Sequence, residues 1–211
     1  MPRIFIDGSA GTTGLRIHDR LARRGDIELM TLSEADRKNP EKRKEMLNSS
    51  DITFLCLPDD AAREAVSFAE NENVKIIDTS TAHRTLDGWS YGFPELSEDF
   101  RNGIKNGKRV AVPGCHAGGF ISLVYPLVKA GVISEDAMLS CFSLTGYSGG
   151  GKKMIADYEG ENAAALLAPR TYGLSQSHKH LPEMAKVCGL ANPPAFSPIV
   201  SSYYAGMEVA V

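Results

Sequence analysis

The sequence predicts an α/β protein with a doubly wound parallel sheet in its first half and an α+β region in its second half. In the first half, short apolar runs alternate with helix-like segments, and the runs are apolar enough for strands buried on both faces. After residue 114 the pattern changes to one longer strand, two helical segments and two closing strand-like runs. We therefore expect two domains, residues 1–114 and 115–211.

The composition is that of an ordinary globular protein and excludes several classes of partner. The chain has 211 residues, of which 43% are hydrophobic and 23% charged, and a net charge of -3. Because no basic face dominates, we expect no nucleic-acid partner and no membrane. No apolar run approaches the ~18 residues of a membrane helix, and the N-terminus shows no targeting pattern. The four cysteines form no C-x-x-C pair, which favours a reduced, cytoplasmic protein.

The first half is predicted to contain four strands joined by helices. The first strand, Ile4–Ile6, runs into a glycine loop at residues 8–14, and an amphipathic helix follows until Gly25. The later predicted elements are a strand at 27–32, a helix from Pro40, a strand at 51–57, a helix from Asp59 to Ala69, and a strand at 74–77. This alternation implies right-handed crossovers between parallel strands.

The rest of the chain begins with a long polar connection, Thr79–Glu95, of a length that is usually functional or mobile. The elements predicted after it are a short helix near 97–104, a strand at 110–112, a helix after residue 114, a strand at 137–145, and helices near 153–167 and 181–188. The closing runs, 195–204 and 206–211, are predicted to form an antiparallel pair.

The glycine loop predicts a dinucleotide site. Three glycines between a buried strand and a helix let the backbone approach a pyrophosphate at the helix N-terminus. The spacing here is G-x-x-G-x-x-G, with Ala10 where the middle glycine of the commoner motif would stand. The residues assigned to this Rossmann-like cofactor site are Gly8, Ala10, Gly11, Thr12, Thr13, Gly14 and Pro58.

The end of the second strand bears on cofactor choice. Ser33, Arg37 and Lys38 offer a hydroxyl and two cations to a 2′-phosphate, which favours NADP (NADPH when reduced), although Glu34 lies among them. An acid alone in this place would favour NAD.

Cys115 is a candidate nucleophile. It follows Pro113-Gly114 at the start of a predicted helix, where unpaired N–H groups and the helix dipole favour a thiolate and a neighbouring oxyanion. The alternative is a small buried residue, since free cysteine is among the most buried types.

Two further stretches are candidate anion sites. Ser80 and Arg84 follow the fourth strand and could bind a phosphate or carboxylate, or could belong to a capped turn. The stretch Gly146–Lys153 has the spacing G-x-x-x-x-G-K but lacks the Ser or Thr that holds Mg²⁺ in a phosphate-binding P-loop. It predicts an anion cradle, or else a flexible surface loop, and the residues assigned to it are Ser148, Gly149, Gly150 and Lys152.

Two histidines stand two residues apart, His178 and His180. No neighbouring cysteine or carboxylate pattern completes a zinc site, so we assign no metal. General acid/base chemistry suits a histidine near neutral pH, and a surface position is the common alternative.

Taken together, these motifs resemble the N-acetyl-γ-glutamyl-phosphate reductases of arginine biosynthesis, in their shorter, second type. The stretches that carry the resemblance are Gly8–Gly14, Asp78–Arg84, Tyr91–Leu96, Val112–Cys115, Ser148–Gly151 and His178–Glu183, in the order of the family. The resemblance implies a dinucleotide-binding domain joined to a catalytic and dimerisation domain like that of aspartate-semialdehyde dehydrogenases. It also implies that Cys115 is the nucleophile, that His178 or His180 is the acid/base, and that the protein is a homodimer or homotetramer.

The implied reaction is the NADPH-dependent reductive dephosphorylation of an acyl phosphate, N-acetyl-L-glutamate 5-phosphate, to its semialdehyde through a Cys115 thioester. The chain departs from the family in two ways: His116 replaces a tyrosine often found after the cysteine, and family members continue for about another third of this length. The second departure suggests a fragment. The alternatives are an aspartate-semialdehyde dehydrogenase-like enzyme, a phosphate-loop nucleotide-binding protein, and a non-catalytic dinucleotide-binding module.

Overall fold

A computed structural model describes residues 1–9, 11–161 and 163–211, and the chain divides into two units, Met1–Pro113 and Gly114–Val211. In the first unit, six strands form one sheet in the order β2-β1-β3-β4-β6-β5, and every neighbouring pair is parallel. The strands are β1 Arg3–Asp7, β2 Glu28–Met30, β3 Ile52–Leu55, β4 Lys75–Asp78, β5 Ser90–Tyr91 and β6 Arg109–Ala111. This is the parallel sheet that the alternating pattern predicts.

Four helices cross between these strands: α1 Thr12–Leu21, α2 Pro40–Ser49, α3 Asp59–Ser67 and α4 Glu98–Asn106. Asn39 begins α2 by accepting the N–H groups of Glu41 and Lys42, and Pro40 fits the first turn because it has no N–H to satisfy. The core beside α2 and α3 contains Phe5, Leu47, Leu55, Ala62, Ala65, Val74 and Ile76. Burial of this cluster holds β1, β3 and β4 in place. The glycine loop, Pro58 and Ser80 follow the carboxyl ends of these three strands.

The long connection after β4 is built around a buried aspartate. Asp78 accepts a hydrogen bond from Ser80 Oγ at 2.6 Å and lies 2.6 Å from Nδ1 of His83. The ring of His83 stacks on Trp89, with 4.1 Å between ring centroids. The connection also contributes the short strand β5, which pairs with β6. These contacts give the connection more regular structure than its polar sequence indicates.

The second unit contains a mixed sheet in the order β10-β7-β9-β8. Its elements are α5 Cys115–Lys129, β7 Ser140–Gly146, a 3-10 turn Tyr147–Gly150, α6 Gly151–Glu159, a second 3-10 turn Ala163–Leu166, β8 Arg170–Thr171, α7 Leu181–Cys188, β9 Ala195–Ser201 and β10 Met207–Ala210.

The predicted pairing of the last two runs is wrong. Both β9 and β10 pair with β7, β9 in parallel over seven residues and β10 antiparallel, so β7 lies between them. β7 therefore uses both of its hydrogen-bonding edges. Adjacency in sequence was the basis of the prediction, and it does not reveal a strand that inserts between its neighbours.

Candidate active site

Cys115 is the first residue of α5 and its side chain is exposed. The other three cysteines are more buried, and burial raises the thiol pKa of Cys56 and Cys141 to about 11 and that of Cys188 to about 12. Those three thiols are therefore poor nucleophiles at neutral pH. Exposure and the helix N-terminus together single out Cys115 as the thiol that can meet a substrate.

Glu183 holds the residue before the cysteine. Its carboxylate, 1% exposed in the first turn of α7, accepts the backbone N–H of Gly114 at 2.7 Å. Gly114 is the N-cap of α5, and its own N–H has no acceptor within the helix. A buried acid from another helix accepts it. This contact fixes where α5 begins and therefore where Cys115 stands.

His116, the next residue, is buried and bonded through both ring nitrogens. Nδ1 lies 2.6 Å from Oγ of Ser143 in β7, and Nε2 lies 2.8 Å from the hydroxyl of Tyr172, which follows β8. Burial, together with the charge of His178, lowers the pKa of His116 to about 4. The ring is therefore neutral at physiological pH.

The two predicted histidines lie in the same cluster. The ring centroids of His178 and His180 are 4.7 Å apart, and each is within 6 Å of the ring of His116, at 5.8 and 5.6 Å. Nδ1 of His178 accepts the backbone N–H of His180 at 3.2 Å. Burial, and then the charge of Lys179, lowers the pKa of His178. His178 is thus a neutral ring with one nitrogen already committed to the backbone.

Tyr172 and Ser143 are members of this cluster that the sequence analysis missed. Burial, and then the negative charge of Cys115, raises the pKa of the Tyr172 phenol to about 12, which keeps the phenol protonated at neutral pH. Tyr172 lies in a stretch without periodicity, so no pattern marks it. Ser143 could have been predicted as a site residue, because it is a polar residue on the buried face of an alternating strand.

In the first unit, a cleft of about 270 Å³ is lined by four of the predicted cofactor residues, Gly8, Gly11, Arg37 and Pro58, but not by Thr13, Gly14 or Ser33. The cleft is bounded by Phe5, Ile6, Asp7, Gly8, Ser9, Gly11, Leu32, Arg37, Lys38, Cys56, Leu57 and Pro58. Ala10 and the side chain of Thr12 lie outside the described residues, and Thr13 is exposed on α1.

Two glycines of the loop let its backbone pack closely against neighbouring backbone. Gly8 has φ of +87°, and a Cβ on it would lie 2.3 Å from the carbonyl oxygen of Cys56. A Cβ on Gly14 would lie 2.4 Å from the carbonyl oxygen of Gly8, whereas at Gly11 the nearest atom is 3.4 Å away. The loop therefore has the close backbone approach that a pyrophosphate site requires.

The residues proposed for a 2′-phosphate differ in their surroundings. Ser33 donates its hydroxyl to Asp36 at 2.7 Å, so that hydroxyl already has a partner. Arg37 lines the cleft and lies 3.1 Å from the carboxylate of Glu34, and Lys38 lines the cleft beside it. The two cations thus face the cleft more directly than the serine does.

A buried ion pair beside the glycine loop had no signal in the sequence. Arg43 of α2 contacts both carboxylate oxygens of Asp7, at 3.2 and 3.1 Å, and donates to Glu64 at 2.8 Å. Burial, only partly offset by Arg43, raises the pKa of Asp7. Because α2 is mostly charged, nothing in its pattern distinguishes the one arginine that it buries.

Ser80 and Arg84 also belong to the first unit, and their contacts are those of a turn held by hydrogen bonds. Arg84 donates from Nε to the carbonyl of Val112 at 2.8 Å and from Nη2 to the carbonyl of Thr79 at 3.0 Å. The Ser80 hydroxyl accepts the N–H of Ala82 in addition to binding Asp78. These bonds support the capped-turn alternative for this motif.

The stretch after β7 forms a 3-10 turn that leads directly into α6. Ser148 is part-buried and donates its N–H to the carbonyl of Tyr204 at 2.9 Å, while Gly149, Gly150 and Lys152 are exposed. The turn is therefore tied to the segment between β9 and β10, with its glycines and lysine toward solvent.

The described residues contain neither a cluster of metal-ligating side chains nor a membrane-spanning helix. No group of three or more histidines, cysteines or acids in this part of the chain could hold a metal ion. Among the same residues, no helix is both long enough and apolar enough to cross a membrane.

The two units match the two domains of one class of protein. The NAD binding domain of semialdehyde dehydrogenases matches residues 3–103, and their dimerisation domain matches residues 115–211. Aspartate semialdehyde dehydrogenase II from Vibrio cholerae has the same fold, with a TM-score of 0.69 at 14% identity over 99% of this chain and 73% of that chain. Aspartate semialdehyde dehydrogenase with NADP from Candida albicans aligns with a TM-score of 0.63 at 13% identity, over 99% of this chain and 70% of that one. The fold is therefore that of a semialdehyde dehydrogenase, and the predicted fold class is confirmed.

Similarity in sequence is closer to one branch of this class. The chain is 48% identical to N-acetyl-gamma-glutamyl-phosphate reductase 2 from Pseudomonas putida, over 100% of this chain and 67% of the relative. It is 50% identical to N-acetyl-gamma-glutamyl-phosphate reductase from Chelativorans sp., over 97% of this chain and 66% of the relative. The chain belongs to the N-acetyl-γ-glutamyl-phosphate reductase family, as its motifs predict, and spans about two thirds of the length of these relatives.

Proposed function

We propose that the protein catalyses the NADPH-dependent reductive dephosphorylation of N-acetyl-L-glutamate 5-phosphate to N-acetyl-L-glutamate 5-semialdehyde, a step of arginine biosynthesis. The observation that carries the proposal is the exposed Cys115 at the start of α5, beside a cluster that contains Tyr172, His178 and His180. Family membership supports the substrate, since the named relatives are reductases of this acyl phosphate.

Cys115 attacks the acyl phosphate carbonyl and forms a thioester as phosphate leaves. The oxyanion of the tetrahedral intermediate needs N–H donors at the helix start. The Gly114 N–H is already donated to Glu183, so it does not serve. The N–H groups of His116 and Ala117, in the first turn of α5, have no acceptor within the helix and are the donors we assign.

His180 is the acid/base that we favour. His178 accepts a backbone N–H through Nδ1, so its neutral ring carries its proton on Nε2 and is a donor toward the site. A histidine that takes a proton at one nitrogen must carry its own proton on the other nitrogen while neutral, and the bond accepted at Nδ1 holds His178 in the opposite tautomer. His180 then gives and takes the proton of the hemithioacetal oxygen, and His178 donates a hydrogen bond to the substrate.

Phosphate recognition is assigned to two groups. The Ser148–Lys152 turn presents exposed glycine N–H groups and an ammonium at the start of α6. Ser80 and Arg84 are the second group, and their hydrogen bonds to Asp78 and to the carbonyls of Thr79 and Val112 hold these two side chains in place after β4.

The cofactor site fits NADPH. The tight glycine turn that leads into α1 suits the pyrophosphate, and Arg37 and Lys38 suit a 2′-phosphate at the cleft. When bound, NADPH supplies the hydride that reduces the Cys115 thioester. The residues of this chain bind the nucleotide and hold the thioester at Cys115. His180 transfers the proton as the aldehyde leaves.

The remaining assignments concern assembly and location. The match to a dimerisation domain supports an oligomer, and we propose a homodimer or homotetramer. Four free cysteines favour a reducing compartment, so we place the protein in the cytoplasm.

The test is the reverse reaction with two semialdehydes side by side. The protein is incubated with phosphate and NADP⁺, and with either N-acetylglutamate semialdehyde or aspartate semialdehyde, while NADPH absorbance is followed. We expect phosphate-dependent NADPH formation only with the acetylated substrate, and less with NAD⁺. Preference for aspartate semialdehyde would assign the alternative dehydrogenase activity instead.

A further inference from the structure

A buried carboxylate lies where the first strand meets the glycine loop. Asp7 is the last residue of β1, immediately precedes Gly8, and lines the same cleft as Gly8 and Gly11. It is 3% exposed, and a buried charge is costly unless a partner compensates it. A dinucleotide brings the negative charges of its pyrophosphate to such a loop, so an unpaired carboxylate at Asp7 would also repel the ligand.

Arg43 of α2 compensates this charge. Its Nε lies 3.2 and 3.1 Å from the two carboxylate oxygens of Asp7, and its side chain is 8% exposed. Nη1 donates to Glu64 at 2.8 Å, Nη2 lies 3.5 Å from the carbonyl oxygen of Ala61, and the guanidinium lies 5.4 Å from the centre of the Phe68 ring. These contacts with α3 and its end hold the guanidinium in one orientation toward Asp7.

Other titratable groups surround the pair. Burial raises the pKa of Asp7, the charge and hydrogen bonds of Arg43 lower it, and the charge of Glu64 raises it. Cys56, which follows β3, keeps a neutral thiol because burial raises its pKa to about 11. The cleft also contains two cations, Arg37 and Lys38. Loss of Arg43 therefore leaves burial and Glu64 to raise the pKa of Asp7 further.

We propose that Arg43 is a positioning residue for the dinucleotide site, which binds the carboxylate of Asp7 so that this charge is neutralised in the cleft wall and the glycine loop leaves β1 at a fixed place. The proposal deepens the proposed function and rests on the glycine-loop cleft as its NADPH site. The guanidinium is buried and bonded to Asp7 and Glu64, so Arg43 acts through Asp7.

The test is a fluorescence titration of NADPH into the full chain without acyl phosphate, repeated from about pH 6 to about pH 8.5. Arg43→Met removes the cation and keeps an apolar side chain beside Phe68. The affinity of this variant is divided by that of the unaltered protein at each pH, which removes the ionisation of NADPH itself from the comparison. The ratio should be nearly normal at low pH, where Asp7 is protonated, and about tenfold lower at high pH, where Asp7 is ionised.

Two further variants separate charge from packing. Asp7→Asn added to Arg43→Met removes the uncompensated charge and should return the affinity at about pH 8.5 to within about threefold of the unaltered protein. Lys42→Met is the matched control, since it removes one positive charge from an exposed position of α2 where Lys42 binds Glu45, and it should bind NADPH normally at every pH. A purely structural role of Arg43 predicts a loss that is equal at every pH and that Asp7→Asn does not relieve.

Stability gives a readout that needs no cofactor. In Arg43→Met the folded chain holds a proton on Asp7 that the unfolded chain releases, because burial raises the pKa of Asp7 in the folded state. The stability of this variant is therefore lost as pH rises. Its urea midpoint should fall between about pH 6 and about pH 8.5 more steeply than that of the unaltered protein, and the double variant should not show this slope.

A pH-independent affinity ratio in Arg43→Met, or no recovery in the double variant, overturns the proposal. If circular dichroism shows that Arg43→Met does not fold, Arg43→Gln, which keeps an amide donor, takes its place with the same expected results. Because binding and unfolding need no acyl phosphate, failure of the reductase assay with the acetylated substrate leaves this test intact. An unaltered protein that binds no NADPH would overturn the cofactor site and this role together.

Discussion

The carboxylate of Glu183 accepts the backbone N–H of Gly114 at 2.7 Å, across 69 residues of sequence. This bond joins the first turn of α7 to the start of α5, immediately before Cys115. A negative charge at this point also interacts favourably with the positive end of α5. Glu183, the acid at the end of the stretch His178–Glu183, therefore holds in place the backbone immediately before Cys115.

Removing this support should cost stability. Glu183→Ala leaves the buried Gly114 N–H without an acceptor, and we expect the free energy of unfolding to fall by about 2–3 kcal/mol. Glu183→Gln keeps an acceptor oxygen and should lose about 1 kcal/mol. Urea unfolding measures both. Glu41→Ala, an exposed acid in the first turn of α2, is the matched control and should change little. A loss for Glu183→Ala no greater than for the control would contradict this role.

The cofactor loop should respond unequally to alanine. At Gly8 an added Cβ meets the Cys56 carbonyl at 2.3 Å and φ is +87°, so Gly8→Ala should cost about 1–3 kcal/mol and weaken NADPH binding. Gly11→Ala meets its nearest atom only at 3.4 Å and should cost less, up to about 1 kcal/mol, because alanine is a poorer N-cap residue for α1 than glycine. Unfolding in urea and fluorescence titration with NADPH compare the two variants. Equal effects at Gly8 and Gly11 would exclude the steric explanation.

The two site histidines should differ in kinetics. His180→Gln removes the proposed acid/base and should lower kcat about 100-fold or more. His178→Gln keeps an N–H donor toward the site and should act mainly on KM. Steady-state kinetics of both variants gives the comparison. If His178→Gln instead causes the larger fall in kcat, the two assignments must be exchanged.

His116 makes stability depend on pH. Its pKa is about 4 in the folded protein against an ordinary 6.5, so the unfolded chain binds a proton that the folded chain refuses. Stability is therefore lost as pH falls from about 6.5 to about 4, by up to about 3 kcal/mol from this residue. His116→Gln should flatten that part of the curve when urea unfolding is repeated across this range. An identical pH dependence in the variant would show that His116 is not the group responsible.

Local sequence patterns were sufficient to predict the strands, helices and glycine loop of the first unit. The alternation of apolar runs and helices, and the glycine spacing after Ile6, depend on neighbours within a few residues, and so they are visible in the sequence. The place of Cys115 at a helix start was predictable for the same reason, since Pro113 and Gly114 end one element and begin another.

What the sequence could not reveal depends on contacts between distant segments. The insertion of β7 between β9 and β10 is one case, and the burial of Arg43 against Asp7 is another. Tyr172 reaches His116 from 56 residues away, in a stretch with no periodic pattern. Such contacts form only when segments distant in sequence pack together, and no short motif records them.

The most direct test of the central claim is a search for the acyl group on Cys115. The protein is mixed with N-acetyl-L-glutamate 5-phosphate in the absence of NADPH, quenched in acid and analysed by mass spectrometry of its peptides. We predict an N-acetylglutamyl thioester on Cys115, release of phosphate, loss of the adduct when NADPH is added, and no adduct in Cys115→Ala. Reduction of the substrate by Cys115→Ala at the rate of the unaltered protein would contradict the account.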